Sequence, residues 1–532
     1  MPRRPLSWSA SVTARCGALG LALLLPGCPA DPADLEAVPA ALGPMAAGDY
    51  LVQADPSTGS LVVIASELGR LEHIRRIDLD ADPSLVVPVP GQSAALVLSR
   101  ADETLDVVSL DGADRRKLVL GAPFEAVTVS ADARAAIAYF PPGSATTVFY
   151  NDNEIAHIDL APEVDPEDAV TRRTLASLGG APSHVALSPE VAGRRYAFVL
   201  SQEHVAIVNL DDPDMVERSV PLVSLTTGGQ RTPTGVEFAV DRATGQDALW
   251  ALVTTAEASS VYALEITPTE LPVTPGEADF DVRLSQLSGI GPGGTATLVT
   301  LADGRLASLA TAPATGRITL TDLATATGEA AALSGKVSQL RLFEAPSEDG
   351  GEPTLQALVW TPGDSKFHVV DVEALAAGDD KSFRTRTTRE PFATVLPVPD
   401  TTLFVLFHGT ADKGVSVLDA ETDRVTSFGR TGAVRQTILS EELGRLFLLT
   451  RFGGDDFVVS VDLETLHPET ALVPDGADGI ALLSGVQTLA AFSSAIEGHV
   501  VLWPAGDTRT VAAQAVPGFL LEGLFQRAEA SK

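Results

Sequence analysis

The sequence predicts an all-β chain folded as a single β-propeller of seven or eight four-stranded blades. Three observations predict it. From about residue 50, short runs of aliphatic and β-branched residues are broken by Gly, Pro, Asp and Ser, and helical periodicity is nearly absent. A marker then recurs, an apolar strand ending in a polar residue followed by an apolar one. Successive markers lie 43 to 57 residues apart, room for about four strands each.

The markers are Val108-Ser109-Leu110, Ile158-Asp159-Leu160, Val208-Asn209-Leu210, Leu264-Glu265-Ile266, Thr321-Asp322-Leu323, Val370-Asp371-Val372, Leu418-Asp419-Ala420 and Val461-Asp462-Leu463. Val500-Val501-Leu502-Trp503 is a degenerate last copy, and Ile77-Asp78-Leu79 a candidate first one. Upstream of several markers sits a second element, a strand, a Ser-initiated turn and another strand. Val127 to Asp132, Val185 to Glu190 and Ile438 to Arg445 show it. A further strand follows, as at Arg172 to Leu175 and Val425 to Phe428. One such unit cannot cover both of its own faces, but units packed radially cover one another. The markers number about nine, while most closed propellers have 4–8 blades. Eight is the preferred count, with two units sharing a blade. Nine or more stays open.

Gly414-Val415-Ser416-Val417-Leu418-Asp419-Ala420-Glu421-Thr422-Asp423-Arg424-Val425 resembles the YVTN-type repeat of bacterial surface and periplasmic propellers, which are WD40-like in fold. The resemblance extends more loosely to Val205–Leu210 and Val458–Leu463, and it implies a fold rather than an activity.

The first 28 residues read as an export signal. Arg3, Arg4 and Arg15 form a basic region without acid, and Cys16 to Leu25 is an apolar run. That run is too short to span a bilayer, which takes roughly 20 apolar residues. Leu25-Pro26-Gly27-Cys28 resembles the lipobox of bacterial lipoprotein precursors. The resemblance implies cleavage between Gly27 and Cys28, and a thioether-linked diacylglyceryl with a fatty acyl chain such as palmitate on Cys28. Two or more acyl chains anchor stably where one does not. Pro29 stands where the family's inner-membrane retention signal has Asp, so the resemblance favours the outer membrane, facing either the periplasm or the cell surface. Residues 28–48, rich in Ala, Pro and acid, read as a disordered tether. The propeller is expected over 49–517, with a short closing helix in 518–532 from Phe519, Leu520, Leu521, Leu524 and Phe525.

Composition narrows the function. The formal net charge is −33, and loss of the signal removes three arginines more. Nucleic acid is therefore excluded as an expected partner. Cys16 and Cys28 are the only cysteines, so the processed body has no disulfide, thiolate metal site or cysteine nucleophile.

Candidate chemistry is sparse. Asp241-Arg242-Ala243-Thr244-Gly245-Gln246-Asp247-Ala248-Leu249-Trp250 resembles the tryptophan-docking motif of quinoprotein propellers, a structural device, and reads more simply as a hairpin turn. Asp322 to Gly328 shares its Thr-Gly turn. Asp78, Asp80 and Asp82 alternate as in a calcium loop, but Pro83 and Val89 occupy the EF-hand's Gly and Glu positions. No cofactor is expected. A calcium ion there, or at Asn151-Asp152-Asn153-Glu154, is the alternative. His73, His157, His204, His368 and His499 fall in or near the marker strands, which are expected to be third strands away from the channel. Gly289, Gly291, Gly293 and Gly294 precede a strand rather than a helix, so they read as a turn and not a phosphate loop. No catalytic residue is assigned. The expected function is a lipid-anchored, non-enzymatic scaffold or binding module for a protein or glycan. The alternative is a propeller enzyme, a lactonase-like metal-dependent hydrolase or a quinoprotein-like oxidoreductase.

Overall fold

The second strand of each unit is buried on both faces along most of its length, and this decides the architecture. Tyr196–Ser201 is buried at all six positions, whereas the outer strand Arg218–Pro221 of the same sheet buries only Val220. A strand covered on both faces needs a sheet on either side. The computed structural model describes residues 42–518, apart from 57, 68, 80–81, 113, 145–149, 177–179, 213–215, 224–228, 230, 243–246, 257–260, 270–277, 288–289, 347–352, 380, 410–413, 429–431, 494–497 and 510–511.

The chain forms ten four-stranded antiparallel sheets, each a meander in chain order. They span 42–78, 85–119, 126–174, 184–221, 233–287, 296–332, 339–392, 394–427, 433–472 and 479–517, and are called blades 1 to 10. The propeller therefore has ten blades, not seven or eight. Each marker from Ser109 to Trp503 lies on the third strand of its own blade, so no two units share one. Blade 1 lacks a marker on its third strand, Ser60–Glu67, and Ile77-Asp78 ends its outer strand instead.

Ten apolar clusters hold the ring, one at each blade boundary. The last joins Leu51, Val62 and Ile64 of blade 1 to Ala481, Leu483, Ala490, Val500 and Leu502 of blade 10. Blade 1 comes wholly from the N-terminal side and blade 10 wholly from the C-terminal side, so packing rather than a shared sheet closes the circle.

The first strand, Leu42–Ala47, lies within the segment read as tether, so the propeller begins seven residues before position 49. Ala and Pro disguised it. Pro44 is tolerated because this innermost strand is an edge strand, and its register shifts between Leu42 and Met45. The expected helix in 518–532 and the signal region lie outside the described residues, save Gly518.

The marker's polar residue shapes the turn that follows the third strand. Asp322, Asp419 and Asp462 each accept a hydrogen bond from the hydroxyl of the Thr three residues on, at 2.9, 2.6 and 2.8 Å. The residue after each of those threonines has positive φ. In blade 7 the marker instead caps helix α1 (Val372–Ala376), with Asp371 accepting from the Ala374 N–H at 2.9 Å. The Ser-initiated turns are equally local, as Ser130 Oγ accepts from Ala135 N–H and Ser188 Oγ from Tyr196 N–H.

Outer-strand arginines add a second stitch between blades. Arg75, Arg116 and Arg384 reach the backbone carbonyls of Leu110, Leu160 and Ala420, each the last residue of the next blade's marker. All but six of the 37 basic residues are arginines. A planar guanidinium reaches two carbonyls at once, as Arg116 does with Leu160 and Ala161.

At the closing seam Thr488 Oγ1 of blade 10 accepts from Gly69 N–H at 3.0 Å and from Ser66 Oγ at 3.2 Å. Gly69 has φ +78°, and a Cβ there would stand 2.5 Å from Pro504 Cδ. Gly69→Ala is expected to destabilise the ring by about 1–3 kcal/mol, since neither the strained φ nor the rigid proline can relax. Denaturant unfolding checks this, and a midpoint equal to wild type would contradict it.

Candidate functional site

In a propeller the innermost strands line the channel, where an enzyme of this fold would gather its ligands. Here several of their polar groups are engaged between blades. Glu237 on Pro233–Asp241 accepts from Thr297 Oγ1 at 2.8 Å and Leu298 N–H at 3.0 Å in blade 6. Gln436 on Ala433–Ser440 donates to Ile480 C=O at 2.8 Å and accepts from Ile480 N–H at 2.7 Å in blade 10. Arg435 donates to Ala477 C=O at 2.6 Å. A recess of about 600 Å³ lies along the inner strands of blades 9, 10 and 1, walled mainly by Met45, Ile438, Leu439, Ile480 and Leu482. Among the described residues no group of three His, Cys, Asp or Glu is placed to hold a metal ion.

On the third strand of blade 9, Asp456 forms a buried anchor with 2% of its surface exposed. It takes two hydrogen bonds of 2.8 Å from Arg451 and one of 3.0 Å from Ala477 N–H, joining blade 9 to the approach of blade 10. The Arg451 hydrogen bond leads the effects that hold its carboxyl below the ordinary value, ahead of burial, which opposes it.

Two further recesses lie between blades, on the face that carries the turns after the first and third strands. One of about 860 Å³ sits between blades 2 and 3, with Asp111, Asp114, Arg115, Arg116 and Asp132 on its walls. A second of about 290 Å³ between blades 3 and 4 shares Arg134, Ala161 and Glu163 with it, making one groove of mixed charge. The second is walled by His157, Asp159, Asp168, Arg195 and Asp211. Arg195 is held by Asp132 at 2.8 Å and by Asp211, whose Oδ2 also accepts from Arg195 N–H at 2.6 Å.

The histidines divide. His157, His204, His368 and His499 lie on third strands as expected, whereas His73 lies on the outer strand of blade 1. His368 is buried, pairs with Thr385 Oγ1 at 2.9 Å, and has its pKa lowered to about 4, chiefly by burial. His157 is buried too, and its Nε2 has no hydrogen-bond partner. Sequence reasoning did not single out His408. Its Nδ1 bonds Pro391 C=O at 2.8 Å, which leaves Nε2 to accept from Ser416 Oγ at 2.7 Å. That is the geometry of a base and a nucleophile, but Ser416 is 1% exposed, and its burial keeps it from a substrate.

The remaining candidates are structural where described. Asp241 and Ala248 pair across the expected hairpin, residues 243–246 lie outside the described residues, and Trp250 is buried with Arg283 5.7 Å over its ring. Asp80, the middle residue of the Asp78 to Asp82 triplet, lies outside the described residues. At the other calcium candidate, Asn151 Oδ1 accepts from Asn153 N–H and Glu154 pairs with Arg172. Gly291 and Gly294 close a turn, with Gly294 N–H donating to Gly291 C=O at 2.9 Å, and Gly289 lies outside the described residues. No helix among the described residues is long and apolar enough to cross a membrane.

No family model matches the chain, and no curated protein matches it. Among solved structures it is similar to the dihydro-heme d1 dehydrogenase NirN in complex with DHE, at 12% identity over 72% of this chain and 74% of that one, with a TM-score of 0.41. It is similar to apo AztD from Citrobacter koseri at 14% identity over 67% and 88%, TM-score 0.32. A eukaryotic initiation factor matches at 9% identity over 86% and 94%, TM-score 0.44.

Asp456 and Asp462 both titrate below the ordinary carboxyl value, Asp462 first through the Thr465 N–H. Their contribution is complete above the unfolded value of about 3.9 and is lost as pH falls through the lower folded values. Asp456→Asn is expected to cost about 1–3 kcal/mol at neutral pH, and less on the acid side of that window. Unfolding followed from pH 7 to 2.5 checks it, and a pH-independent difference would contradict it.

Proposed function

We propose that the chain is an exported lipoprotein, held by lipid on Cys28, whose ring is a non-enzymatic binding platform for a protein or glycan of the cell envelope. One observation carries the platform reading. Glu237, Arg435 and Gln436 on inner strands tie blades together, while the groove across blades 2 to 4 has the turn carboxylates Asp111, Asp132 and Asp211 on its walls beside strand residues. Turn residues on a rigid scaffold are where binding residues concentrate. The address rests on the sequence Leu25-Pro26-Gly27-Cys28, and Pro29 favours the outer membrane.

Two measurements test these parts separately. Expressed in a bacterium that processes lipoproteins, the chain is expected to incorporate labelled palmitate and fractionate with membranes. Cys28→Ser should lose both, and an unlabelled wild type would refute the anchor. The immobilised full chain should capture an envelope protein or glycan, and Asp111→Lys with Asp114→Lys should abolish capture. Capture unaffected by that change would place the partner elsewhere on the ring and refute the groove.

A further inference from the structure

The pocket between blades 3 and 4 contains a residue the fold does not ask for. His157 stands two positions before its marker's polar residue, Asp159, where blades 2, 4, 7 and 8 carry Val107, Ile207, Val369 and Val417 and blade 9 carries the small Ser460. Alternation along Glu154–Asp159 turns it toward blade 4, with Ile155, and it pairs across the sheet with Ile137. Only 6% of it is exposed, its ring forms part of the pocket wall, and its Nε2 has no hydrogen-bond partner. A buried polar atom left without a partner costs about 1–3 kcal/mol, which an aliphatic residue would avoid.

The surrounding charge indicates what would satisfy it. Asp159 has one oxygen engaged with Ala161 N–H, and among the described residues no side chain holds Glu163 or Asp168. Arg195 is already held by Asp132 and Asp211, leaving Arg134 as the other basic group on the wall. Acid therefore predominates. The carboxylates and the imidazole do not converge as metal ligands would, and a volume of about 290 Å³ suits an organic group better than a bare ion. Burial lowers the imidazole's pKa, which favours the uncharged ring and lessens its repulsion of a cation.

We propose that this pocket binds the ammonium end of an organic amine, presented either by a free polyamine or by a lysine side chain of a partner protein. The ammonium N–H groups would be shared among Asp159, Glu163 and Asp168 at the mouth, with the imidazole behind them. The proposal rests on the binding-platform reading, yet amine binding can fail while membrane anchoring and partner capture stand.

Calorimetric titration of the full chain tests it with two probes, spermidine and a lysine-containing peptide. Saturable binding of either is expected, and the probe that binds identifies the source. Acetylation of the probe's amines should abolish binding. Glu163→Gln with Asp168→Asn, both exposed, should weaken binding about tenfold or more without disturbing the fold. His157→Leu should weaken it likewise while leaving thermal stability equal or higher. Should His157→Leu fail to fold, the surface double variant decides alone. Absence of saturable binding for both probes, or affinity unchanged in the surface double variant, would overturn the proposal.

Discussion

Each blade is a sheet with two apolar faces and no means of covering either by itself. That constraint orders the rest of the molecule. It places a cluster of Leu, Val, Ile and Ala at every one of the ten boundaries and buries the second strands on both sides. It also requires the ring to close, because an end blade with an uncovered face would expose a core. Closure here brings Leu51, Val62 and Ile64 against Ala481, Leu483 and Val500. Hydrophobic burial is non-directional, so the polar bonds at the boundaries supply register. Gln436 with Ile480 and Asp456 with Ala477 fix how blade 9 meets blade 10.

The fold was legible in the sequence because its period is enforced chemically. The marker aspartates are turn formers, and a third strand must end at a turn, so Asp322, Asp419 and Asp462 recur at blade spacing. The usual 4–8 blades of closed propellers pulled the expected count below the ten that form. Blade 1 hid because its third strand ends in Ser-Glu and its first strand contains Gly43 and Pro44, which read as linker. The groove was not legible. His157 looked like any strand histidine, since nothing local says that the neighbouring blade leaves its Nε2 without a partner. Asp132, Arg195 and Asp211 come from three different turns and meet only through blade packing.

The acidic balance of the chain gives its few cations a structural task. Arg75, Arg116 and Arg384 lie on outer strands, where an unpaired edge would invite a foreign strand, yet their guanidinium groups turn to the next blade's turn carbonyls. Removing such an arginine would loosen a boundary as well as change the charge.

The seam between blades 10 and 1 has a mechanical meaning. Elsewhere the backbone runs on from one blade to the next, so covalent bonds limit how far blades part. At the seam, side-chain packing and the bonds to Thr488 are what resist separation. The chain enters blade 1 through Leu42–Ala47, an innermost strand hydrogen-bonded to one neighbour within its sheet. Tension applied from the N-terminal side would therefore load that strand beside the seam and peel it from Tyr50–Asp55 one bond at a time. The one joint of the ring without a covalent link and the strand by which the chain enters it therefore stand side by side, and a pull on that strand would act on the circle where it closes.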